Sequence, residues 1–163
     1  MTATTPQETA PLPPRPLVKL FWKAHRAMYR ITGGRFGLQR PETGAKFGML
    51  RIRTVGRRSG KTRETMLGYY PDGDSLVTLA MNGWGGADPA WWLNLQANPV
   101  ATVDLADGAR SVRARAADGA ERERLWATFR DYPGWGTDIG ALAATRPNQT
   151  AVVVLEPEKE PIR

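Results

Sequence analysis

A small α+β barrel is the fold class this sequence predicts, and three observations predict it. Short alternating or continuous apolar runs recur from residue 47 onward, the pattern of strands. Two Asp-Gly pairs, Asp72-Gly73 and Asp107-Gly108, separate such runs and suit tight hairpin turns. Short stretches with helical character lie between the strands, as in antiparallel barrels with peripheral helices.

Residues 1–16 hold five prolines and few large apolar groups, which reads as a disordered or extended tail. Leu17, Leu20, Phe21, Ala24, Met28 and Ile31 then recur at helical spacing, with Lys19, Lys23, Arg26 and Arg30 largely on another side. A basic amphipathic helix is therefore expected over residues 17–34, stopped at Gly33-Gly34. Such a helix either packs on its own domain or makes a peripheral contact with an anionic membrane surface. The barrel domain is expected over residues 35–163.

Within that domain, residues 47–54 alternate, with Phe47, Met49, Arg51 and Arg53 on one side. Residues 62–70 are the expected hairpin partner, and Asp72-Gly73 turns the chain into a strand at 75–80. Residues 82–87 form a glycine-rich loop. Asp88-Pro89 then predicts a helix start, with Asp88 as N-cap and Pro89 in the first turn. That helix covers residues 90–96 and stops near Asn98-Pro99. Residues 100–105 and 110–116 form a second expected hairpin across Asp107-Gly108. Asp118, with Glu121 three residues later, predicts a capped helix running through Leu125, Trp126 and Phe129. A loop over 132–136, a short alanine-rich helix and a buried strand over 150–155 complete the chain.

Composition narrows the chemistry. The 163 residues include 41% apolar side chains, enough for one domain with a real core. The chain has no cysteine and one histidine, His25. Disulfides, thiolate catalysis and multi-histidine metal centres are thereby excluded, and no metal is expected. No apolar run reaches the length of a membrane span, and residues 1–16 lack a secretion pattern; a cytoplasmic location is expected, with residues 17–34 as the one candidate contact to the inner face of the membrane. Charge is uneven: residues 15–63 hold fourteen Lys/Arg against one acid, and residues 64–163 hold nine against fourteen. A basic half suits nucleic acid, a membrane surface or a polyanionic small molecule. Aromatic residues do not interleave with the basic ones as in a base-stacking platform, so no nucleic-acid partner is expected.

The densest signal is Gly56-Arg57-Arg58-Ser59-Gly60-Lys61-Thr62-Arg63. Arginine offers a planar fork of donors for phosphate or carboxylate oxygens, and glycine lets backbone N–H groups approach a ligand. The stretch reads as an anion cradle or as a solvated hairpin turn. It is not a Walker A loop. Gly56 and Gly60 enclose three residues instead of four, and the chain continues into a strand where that motif requires a helix.

Gly-Arg-Arg-Ser-Gly at 56–60, Arg63, Ala80-Met81-Asn82-Gly83 and the run from Asp88-Pro89-Ala90-Trp91-Trp92 to Asn98-Pro99 stand in a recognisable order. So do Tyr132-Pro133 and the closing run from Val152 to Pro157. Together they resemble the deazaflavin (F420)-dependent nitroreductase family of actinobacterial oxidoreductases, over about residues 47 to 157. The resemblance implies an FMN-binding split-barrel-like fold with peripheral helices. It implies coenzyme F420, a deazaflavin with a phosphate and an oligoglutamate tail, with FMN as the alternative cofactor. Carried over by position, Arg57, Arg58, Ser59, Gly60 and Thr62 would hold the phosphate, with Arg63 nearby and Lys61 toward the tail carboxylates. Ala80, Met81, Asn82 and Gly83 would run beside the ring, although the family commonly has lysine at the position of Asn82. Trp91 and Asn94, one helical turn apart, would pack and hydrogen-bond against the cofactor. Tyr132 aligns with a substrate-side tyrosine and is the candidate catalytic proton donor. Gly68, Trp135 and Asp138 replace other family tyrosines, so the acceptor pocket differs. The implied reaction moves a hydride from reduced deazaflavin to an electron-poor small-molecule acceptor: a quinone, an enone or a nitro compound. A non-catalytic F420 or flavin carrier and an FMN-dependent oxidoreductase are the alternatives. A monomer or weak homodimer is expected.

Overall fold

The structure, a computed structural model, describes residues 37–42, 45–81, 86–131 and 139–158, apart from the side chains of Arg130, Asp131 and Leu142. The chain divides into two compact units, Met1–Phe36 and Gly37–Arg163. The expected tail and the helix over 17–34 lie outside the described residues.

Six antiparallel strands close a barrel in the order β1-β2-β3-β6-β5-β4. They are β1 (Gly48–Val55), β2 (Thr62–Asp72), β3 (Ser75–Leu79), β4 (Val100–Leu105), β5 (Gly108–Ala116) and β6 (Val152–Pro157). Pairing of β1 with β4 completes the circle, so these six strands leave no long edge open among the described residues. Among the described residues, three helices accompany the strands: α1 (Ala90–Ala97), α2 (Gly119–Asp131) and α3 (Ile139–Ala144).

Strand composition reflects which faces are covered. In β1, Gly48, Leu50, Ile52 and Thr54 are buried, while Met49, Arg51 and Arg53 are half-buried. One face meets the barrel interior and the other meets polar partners, so the sequence alternates. Arg51 and Arg53 both turn to Asp104 on the neighbouring β4; Arg53 Nη2 donates to Asp104 Oδ1 at 2.6 Å. In β3 and β6 the buried positions are consecutive. Leu76 and Leu155 point into the barrel with Leu50, Ile52 and Val103. Val77, Val152 and Val154 point the other way, into a second apolar cluster with Leu125 and Phe129 of α2. Covered on both faces, these strands read as continuous apolar runs.

The second cluster is locked by Tyr70 of β2. Its hydroxyl donates to the Leu125 carbonyl at 2.7 Å, and its ring meets Phe129 edge-on with centroids 4.6 Å apart. Each such buried side chain contributes about 1.5–3 kcal/mol.

Two expected helix caps form differently. Pro89, not Asp88, is the N-cap residue of α1, and it makes no side-chain cap bond. Asp88 is drawn away to Arg146, 3.0 Å from its Nη2, because a buried guanidinium needs a counter-charge more than a helix end needs a cap. Glu121 likewise does not close a capping box at the start of α2. Both of its oxygens take hydrogen bonds from Arg115 of β5.

Candidate functional site

The basic stretch is the turn between β1 and β2, entered after Val55 and left at Thr62, which pair with each other. Its backbone closes on itself. The Gly56 N–H donates to the Lys61 carbonyl at 2.9 Å, and the Gly56 carbonyl accepts from Ser59 and Gly60 at 3.2 and 2.8 Å. Gly60 takes φ +65°, a conformation that costs other residues roughly 1–2 kcal/mol. Ser59 Oγ accepts from the Lys61 N–H at 3.3 Å. Residues 57–63 are all exposed.

A buried amide holds the turn from below. Asn94, on α1, is 5% exposed. Its Oδ1 accepts from the Arg57 N–H at 3.1 Å, and its Nδ2 donates to Thr54 Oγ1 at 3.2 Å. The resemblance sets Asn94 against the cofactor, and the structure shows its amide bonded to the turn and to β1. Trp91 is buried in the barrel core together with Trp92 and Leu95, with the two indoles 6.3 Å apart edge to face. One helix face thus serves both the core and the base of the turn.

Charge pairing separates this turn from the β5–α2 side of the barrel. Among the described residues, Arg57, Arg58, Lys61 and Arg63 have no carboxylate within ion-pair distance. Arg113 lies against Glu158, Arg115 against Glu121 and Glu156, and Arg124 against Asp72, at 2.6–2.9 Å. Three cations without an acid partner on a closed turn, with Arg63 beside them in β2, suit a ligand carrying several negative charges.

Of the expected ring-side residues, Ala80 is fully buried at the end of β3 and Met81 is half-buried. The Ala80 N–H donates to the Ala151 carbonyl at 2.9 Å. Asn82, Gly83 and Tyr132 lie outside the described residues, as do Trp135 and Asp138. Sequence reasoning missed Arg146, whose buried side chain bonds Ala80, Ala87 and Asp88. Its one signal is isolation, as the single cation between Arg130 and Lys159.

The shifted acids and bases sit away from the turn. Burial, aided by Asp107, pushes the Tyr69 hydroxyl up, with Arg110 and Arg40 opposing. Hydrogen bonding to Arg124 holds the Asp72 carboxyl below its ordinary range. A cavity of about 400 Å³ opens beside the start of α2, lined by Ala116, Asp118, Arg122, Gln149 and Ala151 among others. None of the expected site residues lines it. Among the described residues no cluster of three or more His, Cys, Asp or Glu could hold a metal, and no helix is long and apolar enough to cross a membrane.

Residues 21–157 match the family of F420H(2)-dependent quinone reductases, and the chain belongs to that family. It is similar to an F420H(2)-dependent quinone reductase of Mycobacterium tuberculosis (strain ATCC 25618 / H37Rv). The two are 33% identical over 106 residues, which is 64% of this chain and 69% of the relative. Among solved structures, an F420-H2 dependent reductase aligns at a TM-score of 0.57 and 25% identity, covering 66% of this chain and 93% of the other. A second, described as a domain-swapped dimer, aligns at 0.61 and 23% identity over 86% of this chain and 99% of the other, and shows the fold alone. The protein is an oxidoreductase of the F420H2-dependent class, with coenzyme F420 as its cofactor. The unpaired cations of the turn fit a phosphate-bearing, polyanionic cofactor of this kind.

Proposed function

We propose that the protein reduces quinones with F420H2, and that the β1–β2 turn is where it holds the anionic part of the cofactor. The carrying observation is the set of cations without an acid partner among the described residues, Arg57, Arg58 and Lys61 on a turn anchored by Asn94 and Arg63 beside it in β2. Arg57 and Arg58 would take the phosphate with Ser59, Gly60 and Thr62, and Lys61 and Arg63 the tail carboxylates. Ala80, Met81, Asn82 and Gly83 would run beside the ring, on the side where β3 ends. The barrel would be a split barrel of the flavin-binding kind.

Bound reduced F420 supplies a hydride from its ring carbon. The protein's part is to hold, orient and shield. Quinone reduction to hydroquinone takes one hydride and one proton, and Tyr132 or water would deliver the proton to the quinone oxygen. Enones and nitro compounds present the same electron-poor centre and would be accepted where they fit.

Fluorescence titration with F420 and with FMN, followed by stopped-flow oxidation of bound F420H2 by a quinone, an enone and a nitroaromatic, tests this. F420 binding tighter than FMN binding is expected, with oxidation by the quinone. Tighter FMN binding would overturn the cofactor assignment, and binding without oxidation by any acceptor would make the protein a carrier. The segment over 17–34 would bring the site to quinones dissolved in a bilayer, through its basic and apolar faces. Failure of the full chain to co-sediment with anionic vesicles would sink that idea.

A further inference from the structure

Arg146 lies in the turn after α3, far in sequence from the cofactor motifs. Its side chain is 3% exposed. Nη1 donates to the Ala80 carbonyl at 3.0 Å and to Thr150 Oγ1 at 2.7 Å. Nη2 donates to the Ala87 carbonyl at 3.3 Å and to Asp88 Oδ1 at 3.0 Å. Nε is buried without a partner. One guanidinium therefore bonds the first residue and the last two residues of the 80–88 segment. The neighbouring Pro147 presses on the same segment: a Cβ on Gly86 would stand 3.3 Å from Pro147 Cδ, tighter than most packed contacts, so the close approach is made at a glycine.

We infer that Arg146 is a positioning residue for the cofactor site, tying the Ala80 carbonyl to Ala87 and Asp88 so that Ala80 and Met81 are held in place beside the cofactor. A charged group is rarely buried without a structural return. Here the return is geometric, since three of the four acceptors belong to Ala80, Ala87 and Asp88. The planar fork spans the Ala80 and Ala87 carbonyls, which a lysine ammonium cannot do. The segment then runs through Asp88 and Pro89 into α1, whose Asn94 holds the Arg57 N–H. The guanidinium thus steadies the ring side directly and the anion side through α1. This inference rests on the proposed placement of residues 80–83 beside the cofactor.

The test uses the full chain with Arg146→Lys, Asp88→Ala and a stability control, Leu125→Ala, in the core cluster under α2. Three quantities are read: thermal unfolding, amide hydrogen exchange of residues 80–88 without cofactor, and the F420 dissociation constant. Arg146→Lys and Asp88→Ala should speed exchange within 80–88 relative to the rest of the barrel. They should also weaken F420 binding by about tenfold, the loss of one charged hydrogen bond's worth of ordering. Leu125→Ala should lower the melting temperature at least as far and do neither. Should Arg146→Lys fail to fold, Asp88→Ala carries the comparison alone, because Asp88 is partly exposed. Exchange no faster than in Leu125→Ala, or affinity that merely tracks melting temperature in all three, overturns the inference. Faster exchange with unchanged affinity shows that the segment is held but is not cofactor-facing. That outcome, like a wild-type chain that does not bind F420, overturns the placement of residues 80–83 and the positioning role together.

Discussion

Two arginine-rich surfaces of this barrel have opposite fates. On the β5–α2 side, Arg113, Arg115 and Arg124 each lie against at least one carboxylate. On and beside the β1–β2 turn, Arg57, Arg58, Lys61 and Arg63 face solvent with no ion-paired acid among the described residues. The count of acids in each half of the chain hints at the difference, and the ion pairs show where it falls. The difference is that the first surface is electrically finished and the second is not. An unfinished cluster of cations repels itself, and a closed turn keeps those charges together. A site that holds like charges in place without counter-charges is arranged for an anion that arrives from outside.

The sharpest way to break this contrast is Arg58→Ala. Loss of a charged hydrogen bond to phosphate should weaken F420 binding by about 1.5–3 kcal/mol, roughly tenfold to more than a hundredfold. Thermal unfolding should hardly move, because an exposed turn arginine supports no core. Unchanged affinity in a fluorescence titration would place the anion elsewhere.

Asn94→Ala should act on both quantities. It leaves the Arg57 N–H and Thr54 Oγ1 without their partner, costing about 1–3 kcal/mol of stability. F420 affinity should also fall, though less than in Arg58→Ala, since the cations remain while their support relaxes. A lower melting temperature with undiminished affinity would show that the amide does not set the turn.

Arg115→Ala probes the finished side and should do least. F420 affinity should stay as it is. Stability at neutral pH should drop by about 0.2–1 kcal/mol per pair, the usual range for exposed, screened ion pairs. The pH dependence has a definite sign. Hydrogen bonding to Arg115 holds the Glu121 carboxyl below its ordinary range. Its contribution is therefore fully present above the unfolded carboxyl value of about 4.3 and is lost as pH falls through the lowered folded value. The gap between wild type and Arg115→Ala should close on acidification. A gap in chemical unfolding that stays constant from neutral to strongly acidic pH would mean that Glu121 is not the partner that matters.

Strand identities were legible wherever a single local rule governed them. Alternation in β1 reported one buried face, Asp72-Gly73 and Asp107-Gly108 marked their turns, and the unbroken apolar run of β6 reported burial on both faces. Asp88 and Glu121 misled because cap propensity is worth little against a nearby guanidinium, and the sequence does not say which guanidinium is near. Arg115 and Glu121 are close in sequence, but Arg146 and Asp88 are fifty-eight residues apart.

The sequence by itself determined the basic turn, the strand-rich class and the family of F420-dependent reductases, because each is written in contiguous residues or short motifs. Only the tertiary structure decided which cations are neutralised, that Asn94 and Trp91 face inward, and that Arg146 reaches both ends of the 80–88 segment. Closing the barrel brings β4 against β1 and carries α1 beneath the β1–β2 turn. Pairing of charges and satisfaction of buried amides depend on those distances, and no local pattern of residues encodes them.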